Sequence, residues 1–364
     1  MSHLNKPKTG GGGGNKVLQA AKRAKNDEFY TCFDDVNSEL QHYKEHFRGK
    51  VVYCNCDDPF ESNFFKFFAL KFNAWGLKKL IATCYNGSAV SNTELSLFPE
   101  ESEEDKTTRT AHKIVITEVK DLNGDGAVDL SDIRELLKSD RNALTKLSGN
   151  GDFRSEECIE LLKEADIVCT NPPFSLFREY LAQLIEYDKK FLIVGNQNAI
   201  TYKEVFSLIR ENKLWLGFRF GDMKFTVPDY YEPRPTRFWV DGTGRKWRSI
   251  GTGAWFTNLE HKKRHERFLP YKNYTPEEFP NYDNYDAIEV GKVVDIPQDY
   301  GGFMGVPITF LDKYNPAQFE IVGATESEGK GFSGGLWRPE SGIAQALVNG
   351  KKLYKRIFIR FRKS

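Results

Sequence analysis

The chain has 364 residues, of which 40% are hydrophobic and 28% charged, so its composition is that of a globular protein with a sizeable core. Its net charge is only +1, and a nucleic-acid-binding surface would therefore have to arise from local segregation of charge. Because the sequence has neither a signal-peptide-like start nor an apolar run of about 18 residues, it predicts a cytoplasmic protein that does not enter a membrane.

Predicted strands and helices alternate through the first half of the chain. Residues 1–24, with five consecutive glycines and several lysines, are predicted to be a flexible tail. Beyond them, the apolar runs predicted as strands are 51–54, 80–84, 114–116, 167–170 and 191–194, and the predicted helices are 60–72 and 177–187. This alternation predicts a doubly wound α/β sheet, in which ligands bind beyond the carboxyl ends of the strands.

The composition changes after about residue 215, where glycine, proline, arginine and aromatic residues mix with short β-like runs. These runs lie at 255–257, 319–322 and 356–359. They predict a β-rich region with long loops. A polar and acidic insertion spans about residues 86–145. We therefore expect a first domain over residues 25–258 and a second region over 259–364, with residues 219–250 as a further candidate part of the second.

The residues with the clearest chemistry are Asn171-Pro172-Pro173-Phe174, directly after a predicted strand. The lone pair of an exocyclic amine such as adenine N6 is delocalised into the ring, and two acceptors aimed at its hydrogens would localise it. The side-chain oxygen of Asn171 and the carbonyl of Pro172 can form this pair, because two successive prolines fix φ and stiffen the turn. Phe174 can stack on the base. The motif predicts amine methylation, and a turn that begins a helix, with Ser175 as its cap, is the structural alternative.

The residues around this motif resemble a known family. The runs DIVCTNPPFSLFREY (166–180) and FLIVGNQNAI (191–200) are similar to the EcoRI-type adenine-specific DNA methyltransferases. Further similar stretches are KNDEFYT (25–31), VYCNCDDP (52–59) and WFTNL (255–259). The resemblance covers most of residues 25–360 outside the insertion. It implies a Rossmann-like class I methyltransferase sheet in the first domain and target recognition by the second region.

The resemblance also implies an activity. It indicates site-specific transfer of a methyl group from S-adenosylmethionine to N6 of adenine in double-stranded DNA, within restriction–modification, by an enzyme that acts as a monomer on DNA. The base would have to be flipped out of the duplex to reach a pocket beyond the sheet. Phe174 would then stack on one side of the flipped adenine, and Phe225 or Trp255 on the other.

Residues that would bind the cofactor follow from the same resemblance. Tyr30 and Thr31 match a motif that contacts its methionine end. The residues assigned to its amino-acid part, in the turn after the first strand, are Asn55, Asp57, Asp58 and Pro59. Asp152 and Phe153 resemble the pair that holds its adenine, the first as an acceptor from the amino group and the second as a wall of the pocket. The first turn, CNCDDP, differs from the glycine-rich turns usual at this position in methyltransferases.

Two basic clusters are candidates for contact with DNA phosphates. Basic and apolar residues alternate from Lys355 to Arg362, as on a strand with one charged face. The second cluster comprises Arg234, Arg237, Arg245, Lys246 and Arg248, interleaved with Trp239 and Trp247. A solvated strand face is the alternative for each cluster. His261 and His265, four residues apart, are expected to be exposed positions of a helix.

Residues 121–132 resemble a single calcium loop of the dockerin or EF-hand type, with Gly126 at the position of the sharp turn. The predicted ligands are Asp121, Asn123, Asp125, the carbonyl of Ala127, Asp129 and Asp132. Calcium at this position would be structural, because methyl transfer needs no metal. A polar turn built on Asn-Gly and Asp-Gly is the alternative.

Two other functions are compatible with these motifs. Asn-Pro-Pro-aromatic turns also serve the methylation of RNA and of protein glutamine. The calcium-like loop would suit a calcium-dependent interaction module, which would need no methyl donor. The long basic and aromatic region towards the C-terminus favours DNA over RNA and protein, and the calcium module would account for only a short part of the chain.

Overall fold

The computed structural model describes residues 30–56, 62–83, 111–122, 129–139, 144–227, 231–325 and 332–362. The predicted flexible tail lies outside them. The α-helices are α1 (Phe33–Leu40), α2 (Asn63–Trp75), α3 (Leu130–Ser139), α4 (Glu156–Glu164), α5 (Phe177–Glu186) and α6 (Lys203–Arg210). Short 3-10 helices are Gln41–His46, Phe174–Leu176, Gln197–Thr201, Lys262–His265, Val293–Asp295, Ile308–Lys313 and Pro339–Ser341. None of the helices in this described part is long and apolar enough to cross a membrane.

The strands fall into three sheets and one hairpin. The strands of the first half are β1 (Tyr30–Thr31), β2 (Val51–Cys54), β3 (Lys79–Thr83), β4 (His112–Ile116), β5 (Leu144–Lys146), β6 (Ile167–Thr170) and β7 (Lys190–Asn196). Those of the middle are β8 (Trp215–Phe220), β9 (Met223–Thr226), β10 (Phe238–Val240), β11 (Lys246–Ile250) and β12 (Gly253–Thr257). Those of the last third are β13 (Ile288–Glu289), β14 (Met304–Pro307), β15 (Phe319–Ala324), β16 (Leu347–Val348), β17 (Lys351–Lys352) and β18 (Arg356–Phe361).

The main sheet has eight strands in the order β5-β4-β3-β2-β6-β7-β12-β8. The four central strands β3, β2, β6 and β7 are parallel, whereas β12 runs antiparallel to both β7 and β8. From the neighbouring pair β2 and β6, the chain proceeds outwards in opposite directions. A crevice therefore opens beyond the carboxyl ends of this pair, where ligands bind in open α/β sheets.

The prediction of an α/β protein is confirmed in this coarse form. The direction of two strands was not foreseen. β4 pairs antiparallel with β3, and β12 inserts antiparallel between β7 and β8. An apolar run indicates burial in a sheet but carries no information on strand direction, which depends on how the connection crosses the sheet.

Both faces of the main sheet are buried, and α2 shows how the sequence achieves this on one of them. Ser62 caps the helix, because its Oγ accepts a hydrogen bond from the Phe65 N–H at 3.2 Å. Gly76 ends it with a φ of 63°, in the left-handed region that favours glycine. Between these ends, the buried residues of α2 are Phe64, Phe65, Phe67, Phe68, Ala69, Phe72 and Trp75. They form an aromatic face on the sheet.

The smaller sheets pack around this body. One has the order β1-β9-β11-β10, and the other has the order β13-β14-β18-β15 and is here called the C-terminal sheet. Strands β16 and β17 form a separate hairpin. The hydrophobic core runs from the main sheet into the C-terminal sheet without a break, and Phe206 of α6 packs against Phe332 with ring centroids 4.8 Å apart. The predicted domain boundary at residue 258 stays a prediction.

The outer strand β8 is covered by side chains. Buried Glu39 accepts hydrogen bonds from the Phe218 N–H at 2.6 Å and the Arg219 N–H at 2.7 Å. His261 is also buried, with Nε2 3.0 Å from the Leu216 carbonyl, and burial lowers the pKa of its imidazole to about 4. The expectation of an exposed helical His261 was wrong, because the residue lies against the edge of the sheet.

Candidate active site

The predicted catalytic turn lies at the carboxyl end of β6, beside β2. Strand β6 is buried throughout, and Asn171 and Pro172 that follow it are buried as well. Pro173 has φ −55° and ψ 126°, and its carbonyl accepts a hydrogen bond from the Leu176 N–H at 3.0 Å. Helix α5 then begins with Leu176 at its N-cap, not with Ser175. The turn therefore leads from a central strand directly to the crevice.

The end of β2 is tied to the end of β6 and to α5 by hydrogen bonds. Asn55 is buried, and its carbonyl accepts a hydrogen bond from the Thr170 hydroxyl. Its side-chain oxygen accepts one from the Tyr180 hydroxyl of α5. The next residue, Cys56, has a φ of 71°, so this glycine-free turn takes up the left-handed conformation with a cysteine. Asp57, Asp58 and Pro59 lie outside the described residues.

The predicted adenine-binding pair reaches the same crevice through α5. The ring of Phe153 is buried and packs edge-on against Tyr180 with centroids 5.1 Å apart. The Phe153 carbonyl accepts a hydrogen bond from Gln183 Nε2 at 3.1 Å. Phe153 and Asn55, which are predicted to bind the cofactor, are therefore both held by side chains of one helix.

Asp152 is engaged by a neighbouring cation. Its carboxylate accepts hydrogen bonds from Arg154 Nε at 2.8 Å and Arg154 NH2 at 2.6 Å, and these bonds lower the pKa of Asp152. Arg154 also contacts Glu179 at 3.1 Å. The predicted bond from a cofactor amino group to Asp152 would have to share this carboxylate with Arg154.

Tyr30 and Thr31 form β1, which pairs with β9 at Thr226 and Phe225. The Thr31 carbonyl accepts a hydrogen bond from Asn63 Nδ2, at the start of α2, at 2.7 Å. Thr31 Oγ1 is buried and has no hydrogen-bond partner among the described residues. β1 thus lies beside the helix that follows the first turn, as a cofactor-binding role requires.

The two candidate stacking residues occupy different positions. Phe225 is buried, and its ring meets that of Phe174 edge-on at 6.4 Å. Trp255 is also buried, but it packs on Phe64 of α2 at 5.8 Å. Trp255 is therefore a core residue, and its expected role in stacking is not retained. Phe225 stays a candidate because it contacts the catalytic motif.

The basic C-terminal strand has intramolecular partners. Arg356 pairs with Glu289 at 2.6 Å, and both side chains are 11% exposed. Arg360 pairs with Glu320 at 2.6 Å, and Arg362 Nε donates to the Pro316 carbonyl at 2.7 Å. The expectation of a phosphate-binding face is wrong for Arg356, because other strands of the same sheet, β13 and β15, supply acids that the local sequence does not contain.

The second basic cluster forms a hairpin of β10 and β11. Trp239 and Trp247 stack with centroids 6.1 Å apart and an interplanar angle of 6°, and the Trp247 Nε1 donates to Asp241 at 2.7 Å. Trp239, Arg234 and Arg245 are exposed. The hairpin thus presents the Trp239 ring and Arg245 to solvent, in the same small sheet as Phe225, and exposed Arg234 precedes the hairpin in the chain.

The calcium-like loop is described only at its two ends. Asp132 is buried, and its carboxylate accepts hydrogen bonds from the Leu122 N–H at 2.7 Å and the Asp129 N–H at 2.9 Å. Asp129 in turn accepts from Ser131, and Asp121 lies at the described start of the loop. Asn123, Asp125 and Ala127 lie outside the described residues. Within the described ranges no group of three or more His, Cys, Asp or Glu side chains suits a metal ion, so calcium binding stays a prediction.

Sequence reasoning missed Tyr180 and Gln183. The signal was present, because both are polar and lie three residues apart on a helix whose buried residues are otherwise apolar. A polar residue at such a position needs a buried partner, but the partners, Asn55 and Phe153, are distant in sequence.

Comparison with known proteins identifies the class. The family model described as adenine-specific methyltransferase EcoRI matches residues 17–362. The chain is 47% identical to the Type II methyltransferase M.EcoRI of Escherichia coli over 95% of this chain and 96% of the relative. It is 39% identical to the Type II methyltransferases M.MgeORF184P of Mycoplasma genitalium, over 83% and 84% of the two chains, and M.MpnI of Mycoplasma pneumoniae, over 83% of each. No solved structure matches the chain.

These similarities define a methyltransferase that acts on adenine. The chain belongs to the EcoRI family of adenine-specific methyltransferases. The sequence-based prediction of a site-specific DNA adenine methyltransferase is confirmed. Family membership implies S-adenosylmethionine as the methyl donor.

Proposed function

We propose that Asn171, Pro172, Pro173 and Phe174 catalyse methyl transfer to N6 of a flipped adenine in double-stranded DNA. The observation that carries the proposal is the position of this motif at the carboxyl end of β6, beside Asn55 at the end of β2, in a chain 47% identical to M.EcoRI. Asn171 Oδ1 and the Pro172 carbonyl accept the amino hydrogens of the base, which localises the nitrogen lone pair. The rigid turn keeps both acceptors in place, and alignment of the reactants supplies much of the rate.

S-adenosylmethionine would supply an electrophilic methyl group on its sulfonium. Its site is supported by unsatisfied buried groups at the crevice. The buried atoms Thr31 Oγ1 and Gln183 Oε1 have no hydrogen-bond partner among the described residues. The amide nitrogen of Asn55 also makes no hydrogen bond there. Buried polar groups without partners are rare, and a ligand that bonds them explains them. Tyr30, Asp152 and Phe153, together with the first turn over residues 57–59, would complete this site. The reversed strand β12 between β7 and β8 supports a Rossmann-like class I sheet.

The flipped adenine would stack on Phe174, whose ring also meets that of Phe225 edge-on. The hairpin of β10 and β11 belongs to that sheet, and its exposed Trp239, Arg234 and Arg245 suit contact with DNA phosphates and bases. We place these residues and the region 259–364 in target recognition. The chemistry is sequence-independent and resides in the turn, whereas the site specificity would reside in these outer elements.

The substrate is tested by methyl transfer from labelled S-adenosylmethionine to three acceptors, namely unmethylated duplex DNA, RNA and total protein. We expect label in DNA only, recovered as N6-methyladenine after digestion and mass spectrometry. Label in RNA or protein with none in DNA would contradict the proposal. Sequencing of the methylated DNA then gives the recognition site.

A further inference from the structure

Helix α5 joins the three segments that meet at the crevice. It begins directly after the catalytic turn, and Tyr180 and Gln183 lie one helical turn apart on it. Tyr180 is fully buried and donates its hydroxyl hydrogen to Asn55 Oδ1, at the end of β2. Gln183 donates to the carbonyl of Phe153. One helix therefore contacts both segments predicted to hold the cofactor and is covalently continuous with the segment predicted to hold the base.

The hydrogen bond from Tyr180 fixes the orientation of the Asn55 side chain. A carboxamide has an acceptor end and a donor end, and the two ends can exchange by a half-turn of the side chain. The Tyr180 hydroxyl donates a hydrogen bond to the side-chain oxygen of Asn55, which is the acceptor end. The Thr170 hydroxyl donates one to the backbone carbonyl of Asn55. What Asn55 can still offer is its amide N–H₂ group, whose hydrogen bonds are not satisfied within the described part of the chain.

We propose that Tyr180 is a positioning residue that holds Asn55 with its amide N–H₂ group presented to the cofactor, and that Gln183 fixes Phe153 in the same way from the next turn of α5. This proposal rests on the proposed function and specifies it. The ligand group that fits the amide is an acceptor, such as the carboxylate of the methionine part of S-adenosylmethionine. Since α5 starts at the catalytic turn, cofactor binding and base binding would share one rigid element.

The test is a double-mutant cycle in the full chain. The variants are Tyr180→Phe, Asn55→Ala and the two combined, and the main readout is the Kd of S-adenosylmethionine by calorimetry. We expect each single change to raise Kd about tenfold, because removing a partner of a buried hydrogen-bonded group loses roughly this much. The double variant should bind S-adenosylmethionine no more weakly than the single variant with the higher Kd, because both changes remove the same interaction. The kcat at saturating cofactor and DNA should fall less than Kd rises.

Tyr43→Phe is the matched control. Tyr43 is also a buried tyrosine whose hydroxyl donates to a side chain, Glu39 at 2.8 Å, but it lies at β8, away from the crevice. It should lower the thermal midpoint without a change in Kd. Gln183→Met provides an independent variant on the partly exposed side of α5, and it should raise Kd about threefold.

The inference is overturned if Tyr180→Phe behaves as Tyr43→Phe does, with a lower thermal midpoint and an unchanged Kd. It is also overturned if the effects of Tyr180→Phe and Asn55→Ala add. If Tyr180→Phe does not fold, an unchanged Kd in Gln183→Met overturns it. A wild-type chain that neither binds S-adenosylmethionine nor methylates DNA would instead contradict the proposed function, so the two failures are distinguishable.

Discussion

Polar side chains are buried in two regions, the crevice at β2 and β6 and the interior of the C-terminal sheet. Only in the C-terminal sheet do all of them find hydrogen-bond partners among the described residues. In the C-terminal sheet, the carboxylate of Glu289 accepts hydrogen bonds from Arg356 and from the Tyr282 hydroxyl. At the crevice, Thr31 Oγ1 and Gln183 Oε1 are buried and have no partner, whereas no such atom occurs among the described residues after 265. Completed networks stabilise a fold, and an incomplete one at a crevice leaves groups that a ligand could bond.

The largest expected effect comes from breaking the completed network. Arg356→Ala leaves Glu289 as an uncompensated buried charge, which should lower the free energy of unfolding by about 3–5 kcal/mol in urea denaturation. Arg360→Ala is the control, because Arg360 and Glu320 are 43% and 37% exposed and their pair should contribute at most about 1 kcal/mol. Equal losses in the two variants would show that burial of the pair is irrelevant.

The second-largest expected effect tests the crevice, where some buried polar groups lack partners. Asn171→Ala should lower kcat roughly 10²–10³-fold, comparable with the loss of one preorganised hydrogen-bonding group in other active sites. The Kd of S-adenosylmethionine and the thermal midpoint should be unchanged. Asn258→Ala is the matched control, because both ends of that amide bond the backbone, to Phe191 and Lys189 at 2.9 Å. Asn258→Ala should lose stability and retain kcat. If Asn171→Ala instead lost stability and retained kcat, the assignment of Asn171 would be refuted.

The third prediction concerns Glu39, which is buried at the edge strand β8 and should make the stability of the protein depend on pH. Burial raises the pKa of Glu39 to about 7, above its ordinary value of 4.5. Its contribution to stability is therefore complete below pH 4.5 and is lost as the pH rises through 7, by up to about 3 kcal/mol. Urea unfolding of the wild type at about pH 5 and about pH 8, relative to Glu39→Gln, should show this decline. A difference between the two proteins that does not vary with pH would argue against it.

The smallest effect concerns the hairpin of β10 and β11. Arg245 is exposed, and Arg245→Ala should weaken DNA binding severalfold and reduce the slope of log Kd against log salt concentration by about 1. Arg237 in the same hairpin contacts Asp222 at 3.2 Å, so Arg237→Ala should change the slope less. Identical salt slopes for wild type and Arg245→Ala would remove this hairpin from the DNA interface.

Local sequence was enough to predict the turn at Asn171–Phe174 and most of the central strands. The turn is local, because a buried strand, an asparagine and two prolines fix its shape whatever surrounds it. The strand predictions at 51–54 and 167–170 hold to the residue, since all four positions of each are buried and the apolar run ends where the strand ends. The family resemblance was also contained in these local strings.

Which polar groups find partners depends on how segments distant in sequence pack together. Tyr180 lies 125 residues from Asn55, and Arg356 lies 67 residues from Glu289. A single sequence shows that such residues are polar but not what they meet, because their hydrogen bonds depend on strand order and helix placement. The same reason separates Arg356 from Arg245. Residue type made the two arginines equal candidates, and packing placed Arg356 in a buried ion pair and left Arg245 exposed.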